Sequence, residues 1–361
     1  MSRVLLTVGT RKGAFFLWSD ESRENWRLEG PHFKGWDVGP IQMDRRGDTA
    51  IWAGVSHFVY GAHLQTSKDL GETWKQIEHG PRYEDSSGHK LNRIWCIEPG
   101  PPEEPDLLYA GVDEAGLFVS SDQGEHWRGV DGLNDHPTRG EWSPGLGGLC
   151  LHRILIDQKN PNRMWVAISA VGVFRSENKG ASWQACNQGA PIVAKGKEFE
   201  HIGSCVHSLV QAGNVPDLLY QQNHQGVLRS TDGANSWQRI ETGLPARFGF
   251  PMELDPNDSN TLYTIPLESD EYRLPIEGKL AVFRSRDAGE SWHAMTTGLP
   301  QGGFYSGVLR HSLAVDGLGP CGIYFGTTGG QLFYSRDGGE DWQSMPFTLP
   351  RIQSVSAFLL A

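Results

Sequence analysis

An eight-residue pattern that returns seven times constrains this chain more than any other feature. Six copies read S-x-D-x-G-x-x-W or differ from it at one position: SKDLGETW ending at Trp74, SSDQGEHW at Trp127, SENKGASW at Trp183, STDGANSW at Trp237, SRDAGESW at Trp292 and SRDGGEDW at Trp342. A degraded copy, SDESRENW, ends at Trp26. The tryptophans are spaced 48, 53, 56, 54, 55 and 50 residues apart. A fixed period of that length means that each repeat is one supersecondary unit, burying its apolar faces against neighbouring repeats. The 361 residues divide into seven such units of about 52 residues each.

Every unit follows one plan. An apolar run closed by an acid (LHRILID, RHSLAVD) precedes a turn rich in Pro, Asn and Gly. A second strand (LLYAGV, RMWVAI, LLYQQN, IYFGTT) and a third (GLFVSS, GVFRSE, GVLRST, QLFYSR) lead into the box, whose tryptophan begins a fourth. Four strands per repeat predict an all-β, seven-bladed β-propeller occupying 1–361 as a single domain. The first unit opens directly on its second strand, VLLTVGT, so residues 351–360 are expected to supply its missing inner strand and close the ring. Within the box, Asp is suited to accept backbone N–H groups in an Asx-type turn, Gly to take a positive φ, and Trp to pack back between blades.

Composition agrees and removes several function classes. The 45 glycines and 13 tryptophans suit short strands, frequent turns and bulky staples. A formal charge of −11 with no basic run argues against a nucleic-acid partner. No stretch of 18 apolar residues is present, so no membrane-spanning helix is expected. Five cysteines without a C-x-x-C spacing read as free thiols, and with no signal-peptide pattern at the start the expected location is the cytoplasm.

The repeated box resembles the Asp-box, or BNR repeat, of sialidases, xyloglucan-type glycoside hydrolases, sortilin-like receptors and photosystem II assembly factors. The resemblance runs through all seven boxes, and the opening GTRKGAFF is similar to bacterial BNR-repeat proteins described as glycosyl hydrolase-like or sialidase-like. It implies the propeller fold and a hydrolase acting on a sugar-like ligand. It also implies that the boxes lie on the face away from the site.

Functional residues are therefore expected at the starts of first strands and in the loops between second and third strands. Aligning first strands on their closing acid makes Arg93, His152, His207, Phe250 and His311 equivalent. His152, His207 and His311 are the candidate ligands of a divalent transition metal; Cys150 and Cys205 stand two residues before the first two, on the same strand face. Asp113, Glu114, Asp270 and Glu271 are the candidate catalytic carboxylates of a two-acid glycosidase. Arg11, Trp36, His57, Arg93, Trp142, His224, Arg273 and Arg310 are the candidate substrate-binding residues, with Gly145, Gly147 and Gly148 giving the loop after Trp142 freedom to move. Three functions fit: a hydrolase for a small polar or sugar-like ligand, a metal-dependent lyase or oxygenase using the histidines, and a non-catalytic propeller that docks a protein partner.

Overall fold

The computed structural model describes residues 3–193 and 201–360. The protein is all-β. Its described residues hold 28 strands, one four-residue α-helix at Asp131–Asn134 and three short 3-10 turns. No helix is long and apolar enough to cross a membrane, and all five cysteines are free.

The chain forms two compact units. One carries three four-stranded sheets, each an antiparallel meander in chain order, opening with Asp37–Asp44, Arg93–Pro99 and Leu151–Ile156. Their second strands are deeply enclosed. Met164–Ile168 (MWVAI) is buried at every residue, as a continuous apolar run between two covered faces should be. The last strand of each sheet is only two residues long, for example Lys75–Gln76 and Arg128–Gly129.

The other unit carries two more such meanders, opening with Val206–Gln211 and Gly249–Asp255, and one eight-stranded sheet. That sheet is two meanders in contact. Val308–Val315 to Gln343–Thr348 form one; Ile352–Leu360, Arg3–Thr10, Gly13–Asp20 and Arg27–His32 form the other. They touch through a single parallel bridge between His311 and Ser354. Ile352–Leu360 pairs antiparallel with Arg3–Thr10, from Arg3 opposite Leu360 to Thr10 opposite Ile352. The expected pairing of the last strand with the first is thus present.

The box turns repeat one hydrogen-bond scheme. Ser67 Oγ donates to Asp69 Oδ1 at 2.7 Å and accepts Gly71 N–H at 2.8 Å, while Thr73 N–H donates to Asp69 Oδ1 at 2.9 Å. The same three bonds recur at Ser285, Asp287, Gly289 and Ser291. Asn178 preserves the scheme, its Oδ1 accepting Ser182 N–H at 2.9 Å. The glycines have left-handed φ, +96° at Gly71 and +91° at Gly289, which a Cβ opposes. Two boxes place an L-residue there: Ala234 at +72° and Arg23 at +55°. The indoles act in two ways. Trp127, Trp183 and Trp342 donate to the glycine carbonyl of their own turn; Trp237 and Trp292 donate instead to Cys186 O and Ile240 O, at the end of the preceding sheet.

Arg23 shows what replaced the glycine in the degraded box. Its guanidinium is buried, 3.2 Å from Asp316 Oδ2, and also donates to Pro320 O and Arg336 O. Asp316 is the closing acid of RHSLAVD and further accepts Leu318 N–H, Gly322 N–H and the Tyr324 hydroxyl. Burial and this carboxylate push the Tyr324 phenol far above its ordinary range.

Candidate functional site

Three chain segments meet in the first unit. Asp37, at the start of its strand, lies 2.9 Å from Arg93 Nη2. Arg93 opens the next sheet, stands opposite Asp113 in the strand register and places its guanidinium 5.1 Å from the Trp95 ring centre. Asp113 ends Leu108–Asp113, where the chain turns into the third strand. It is half-buried. Desolvation and the neighbouring Glu114 raise its pKa above the ordinary carboxylate value, against the lowering pull of Asn92, Trp95 and Arg93. Gly148 explains part of that burial: a Cβ there would lie 2.7 Å from Asp113 Oδ2, so the glycine backbone covers the carboxyl closely. Glu114 faces another way, with Oε2 3.1 Å from His89 Nδ1 and its carbonyl accepting the Tyr83 hydroxyl at 2.5 Å.

An aromatic ledge stands beside Asp37. Trp36 lies against His57 at 4.9 Å and nearly parallel to Tyr60, at 6.0 Å and 16°. His57 stacks in turn on Phe58 and Tyr60. The turn is held locally, Val59 N–H donating to His57 Nδ1 at 3.1 Å. Phe58 and Tyr60 are nevertheless 94% and 66% exposed, a concentration of apolar ring surface that a fold normally covers.

The second unit carries its own group. His207 and His224 meet edge to face at 5.4 Å, walled by Phe248 and Phe250. His224 Nε2 lies 3.3 Å from Asp270 Oδ2. Arg273 sits 5.5 Å from the Phe250 ring centre and donates from Nε to Asp270 O at 3.0 Å. Nearby, Arg11 N–H donates to Arg351 O at 3.1 Å; burial, Arg11 and Arg273 together lower the pKa of Arg351. Glu271 and Tyr272 are exposed on the same loop as Asp270.

No family model matches the chain. A curated relative, the oligoxyloglucan-reducing end-specific xyloglucanase of Emericella nidulans, is 21% identical over 249 residues, 60% of this chain and 29% of its own length. The GH74 enzyme of Niastella koreensis superposes with a TM-score of 0.58 at 13% identity, over 96% of this chain and 65% of that one. An ancestral GH74 enzyme gives 0.55 at 17% identity, over 89% of this chain and 38% of that one. YCF48 bound to D1 peptide gives 0.52 at 14% identity, over 86% and 83%. The fold is a β-propeller. The chain spans less than a third of the curated relative's length and under two-fifths of the ancestral enzyme's, and at these identities the likeness concerns the fold.

The remaining candidates occupy other settings. Trp142 is only 8% exposed, packed on Phe174 and under Arg139, with its indole donating to Thr138 Oγ1 at 2.9 Å. Its ring belongs to a hydrophobic cluster with Val171 and Trp183 rather than to an open loop. The glycines after it include one in close packing, Gly148, where mobility was expected. His152 is fully buried, with Nε2 3.0 Å from Val206 O. Arg310 and His311 are half-buried on Val308–Val315. Of the three aligned histidines, His207 meets another imidazole, His224, within the second unit. Phe58, Tyr60 and the packing role of Gly148 were not anticipated. The apolar tip in VSHFVYG was the available signal for the first two.

Proposed function

We propose that this protein is a single seven-bladed propeller of the BNR type that binds and hydrolyses a small glycan-like ligand in the cytoplasm. Five four-stranded sheets and an eight-stranded sheet made of two meanders support the blade count. The observation that carries the functional reading is Asp113: a covered carboxyl with a raised pKa, in register with the Arg93 that holds Asp37. A glycosidase needs one carboxyl that keeps its proton and one that stays ionised. Asp113 fills the first role, protonating the leaving glycosidic oxygen. Asp37, ion-paired to Arg93, fills the second and activates water. Trp36, Tyr60 and Phe58 offer ring faces on which a sugar ring stacks while its hydroxyls stay solvated. Sugar-active propellers among the structural relatives agree with this reading.

The test is turnover of xyloglucan-derived oligosaccharides, aryl glycosides and sialosides by the purified protein. Asp113→Asn should lower kcat by about 10²–10⁴-fold, and Trp36→Ala should act mainly on KM. Absence of both turnover and glycan binding in the parent protein overturns the proposal. The exposed Phe58-Val59-Tyr60 tip favours a second reading, a docking site for a peptide, which isothermal titration against unstructured peptides separates from the first.

A further inference from the structure

In three of the sheets an aromatic residue of the second strand faces an arginine of the third. Trp165 stands opposite Arg175, Tyr220 opposite Arg229 and Tyr263 opposite Arg284, and each arginine immediately precedes the serine of its box. Each guanidinium donates to the carbonyl of the fourth residue of the box that follows: Arg175 Nη1 to Gly233 O at 2.7 Å, Arg229 Nη1 to Ala288 O at 3.0 Å and Arg284 Nη1 to Gly338 O at 2.7 Å. Each also pairs with a carboxylate at 2.9 Å, that of Glu177, Glu290 or Glu340. Two of the aromatics add a donor to the same carbonyl, Trp165 Nε1 to Gly233 O at 3.0 Å and Tyr263 hydroxyl to Gly338 O at 3.3 Å.

The sheet that contains Leu108–Asp113 departs from this pattern. Tyr109 stands opposite Val119, which precedes Ser120 where the other three sheets place arginine. Valine is too short to reach the next box, and a cavity of about 410 Å³ lies in the gap, wholly within the first unit. Leu107, Tyr109 and Val119 give it an apolar floor, and Lys179 and Gly180 of the next box form its far wall. Lys179 is the fourth residue of that box, the counterpart of Gly233, Ala288 and Gly338. Among the described residues, neither Lys179 O nor the hydroxyl of the buried Tyr109 has a hydrogen-bond partner. Further carbonyls crowd the same wall: a Cβ on Gly132 would lie 2.6 Å from Gly180 O and 2.5 Å from Ala181 O. The lining carboxylates are Asp131 and Glu104, the latter paired with Lys179, and Arg128 completes a balanced set of charges.

We propose that this cavity binds a small ligand carrying a guanidinium on an aliphatic stem, which takes the place that an arginine side chain fills in the other three sheets. The stem would lie on Leu107, Tyr109 and Val119, and the guanidinium would donate to Lys179 O and pair with Asp131. A guanidinium has donors only and is more weakly hydrated than an ammonium, so it suits a wall of carbonyls beside a carboxylate. The volume is within the ordinary range for small-molecule sites. The box end of Leu108–Asp113 holds this cavity and the other end holds Asp113, so the proposal stands independently of the glycan reading and its test reads binding rather than hydrolysis.

Isothermal titration of the full chain uses n-butylguanidinium and N-acetyl-arginine methylamide, with n-butylurea as the neutral control. Saturable binding of either guanidinium is expected; the tighter of the two tells a free alkylguanidine from an arginine carried on a polypeptide. Butylurea should bind about 10-fold more weakly, because it forfeits the charge-assisted hydrogen bonds. Val119→Arg supplies the missing side chain from within and should abolish binding; Val119→Met fills the space of the stem and should do the same. Asp131→Asn should weaken binding by about 2–5-fold, as befits an exposed charge. Circular dichroism checks that the variants fold. No saturable binding of either guanidinium by the parent protein, equal binding of butylurea, or undiminished binding in either folded Val119 variant overturns the assignment.

Discussion

Replacing Arg23 tests whether a residue in a glycine position can become indispensable. In Arg23→Met, Asp316 stays buried while losing the guanidinium that lies 3.2 Å away; its remaining partners are Leu318 N–H, Gly322 N–H and the Tyr324 hydroxyl. Removing one member of a buried pair costs about 3–5 kcal/mol, because the other charge remains desolvated. Carbonyls of Pro320 and Arg336 also lose a donor, which places the expected value in the upper half of that range. Arg23→Gly removes the same charge but relieves the +55° backbone, so it should be less damaging by about 1 kcal/mol. The double variant Arg23→Met with Asp316→Asn should cost about 1–3 kcal/mol less than the sum of the singles. Urea titrations followed by circular dichroism, with m held in common, measure all four proteins. A loss below about 1 kcal/mol for Arg23→Met would refute the account, since that is the worth of an exposed pair.

Other substitutions probe single arguments. Gly289→Ala should cost about 2–5 kcal/mol, combining the +91° backbone with a Cβ 2.3 Å from Ile240 Cδ1, while Gly35→Ala, at +90° with open space, should cost only about 1–2 kcal/mol; thermal melts compare them. Burial raises the Glu98 pKa to about 7 despite Arg153 and Arg46, with Asp44 adding to the rise. The folded state then holds a proton the unfolded state has lost, so stability falls as pH climbs from about 4.5 to 7. Glu98→Gln should remove that slope and gain on the order of 3 kcal/mol above pH 7, read from urea midpoints across pH. Asp113 has the same sign: Asp113→Asn should stabilise the protein at neutral pH and not at pH 3, even as it abolishes the proposed hydrolysis, and melts at the two pH values check it.

The strand succession was legible because every repeat states it again. A closing acid, a turn and a box recur, and the Ser–Asp–Gly hydrogen bonds of the box need no partner beyond a few residues away. The site was legible in position but not in pairing. Alignment put Arg93 at a first-strand start and Asp113 in a second-to-third loop, yet nothing in the sequence said that Arg93 would hold Asp37. Such pairing depends on side-chain reach between sheets. Trp142 looked like a loop tryptophan until Arg139, Phe174 and Thr138 enclosed it. The aligned histidines were equivalent in repeat position, but their surroundings differ. His152 is sealed against Val206, whereas His207 faces His224 and the phenylalanines. Periodicity reports what repeats share, and a site is built from what they do not.

The pairing of Arg3–Thr10 with Ile352–Leu360 also sets a timetable for synthesis. Arg3–Thr10 must wait for a partner translated about 350 residues later, and at about 5–20 residues per second that interval is tens of seconds. Throughout it, the apolar run VLLTV has an unpaired edge of the kind that recruits other strands. The early hairpin with Gly13–Asp20 covers only one side of it. Chaperone dependence during translation should therefore fall in a circular permutant that joins the two strands into one hairpin, because the longest wait in the chain becomes one of its shortest.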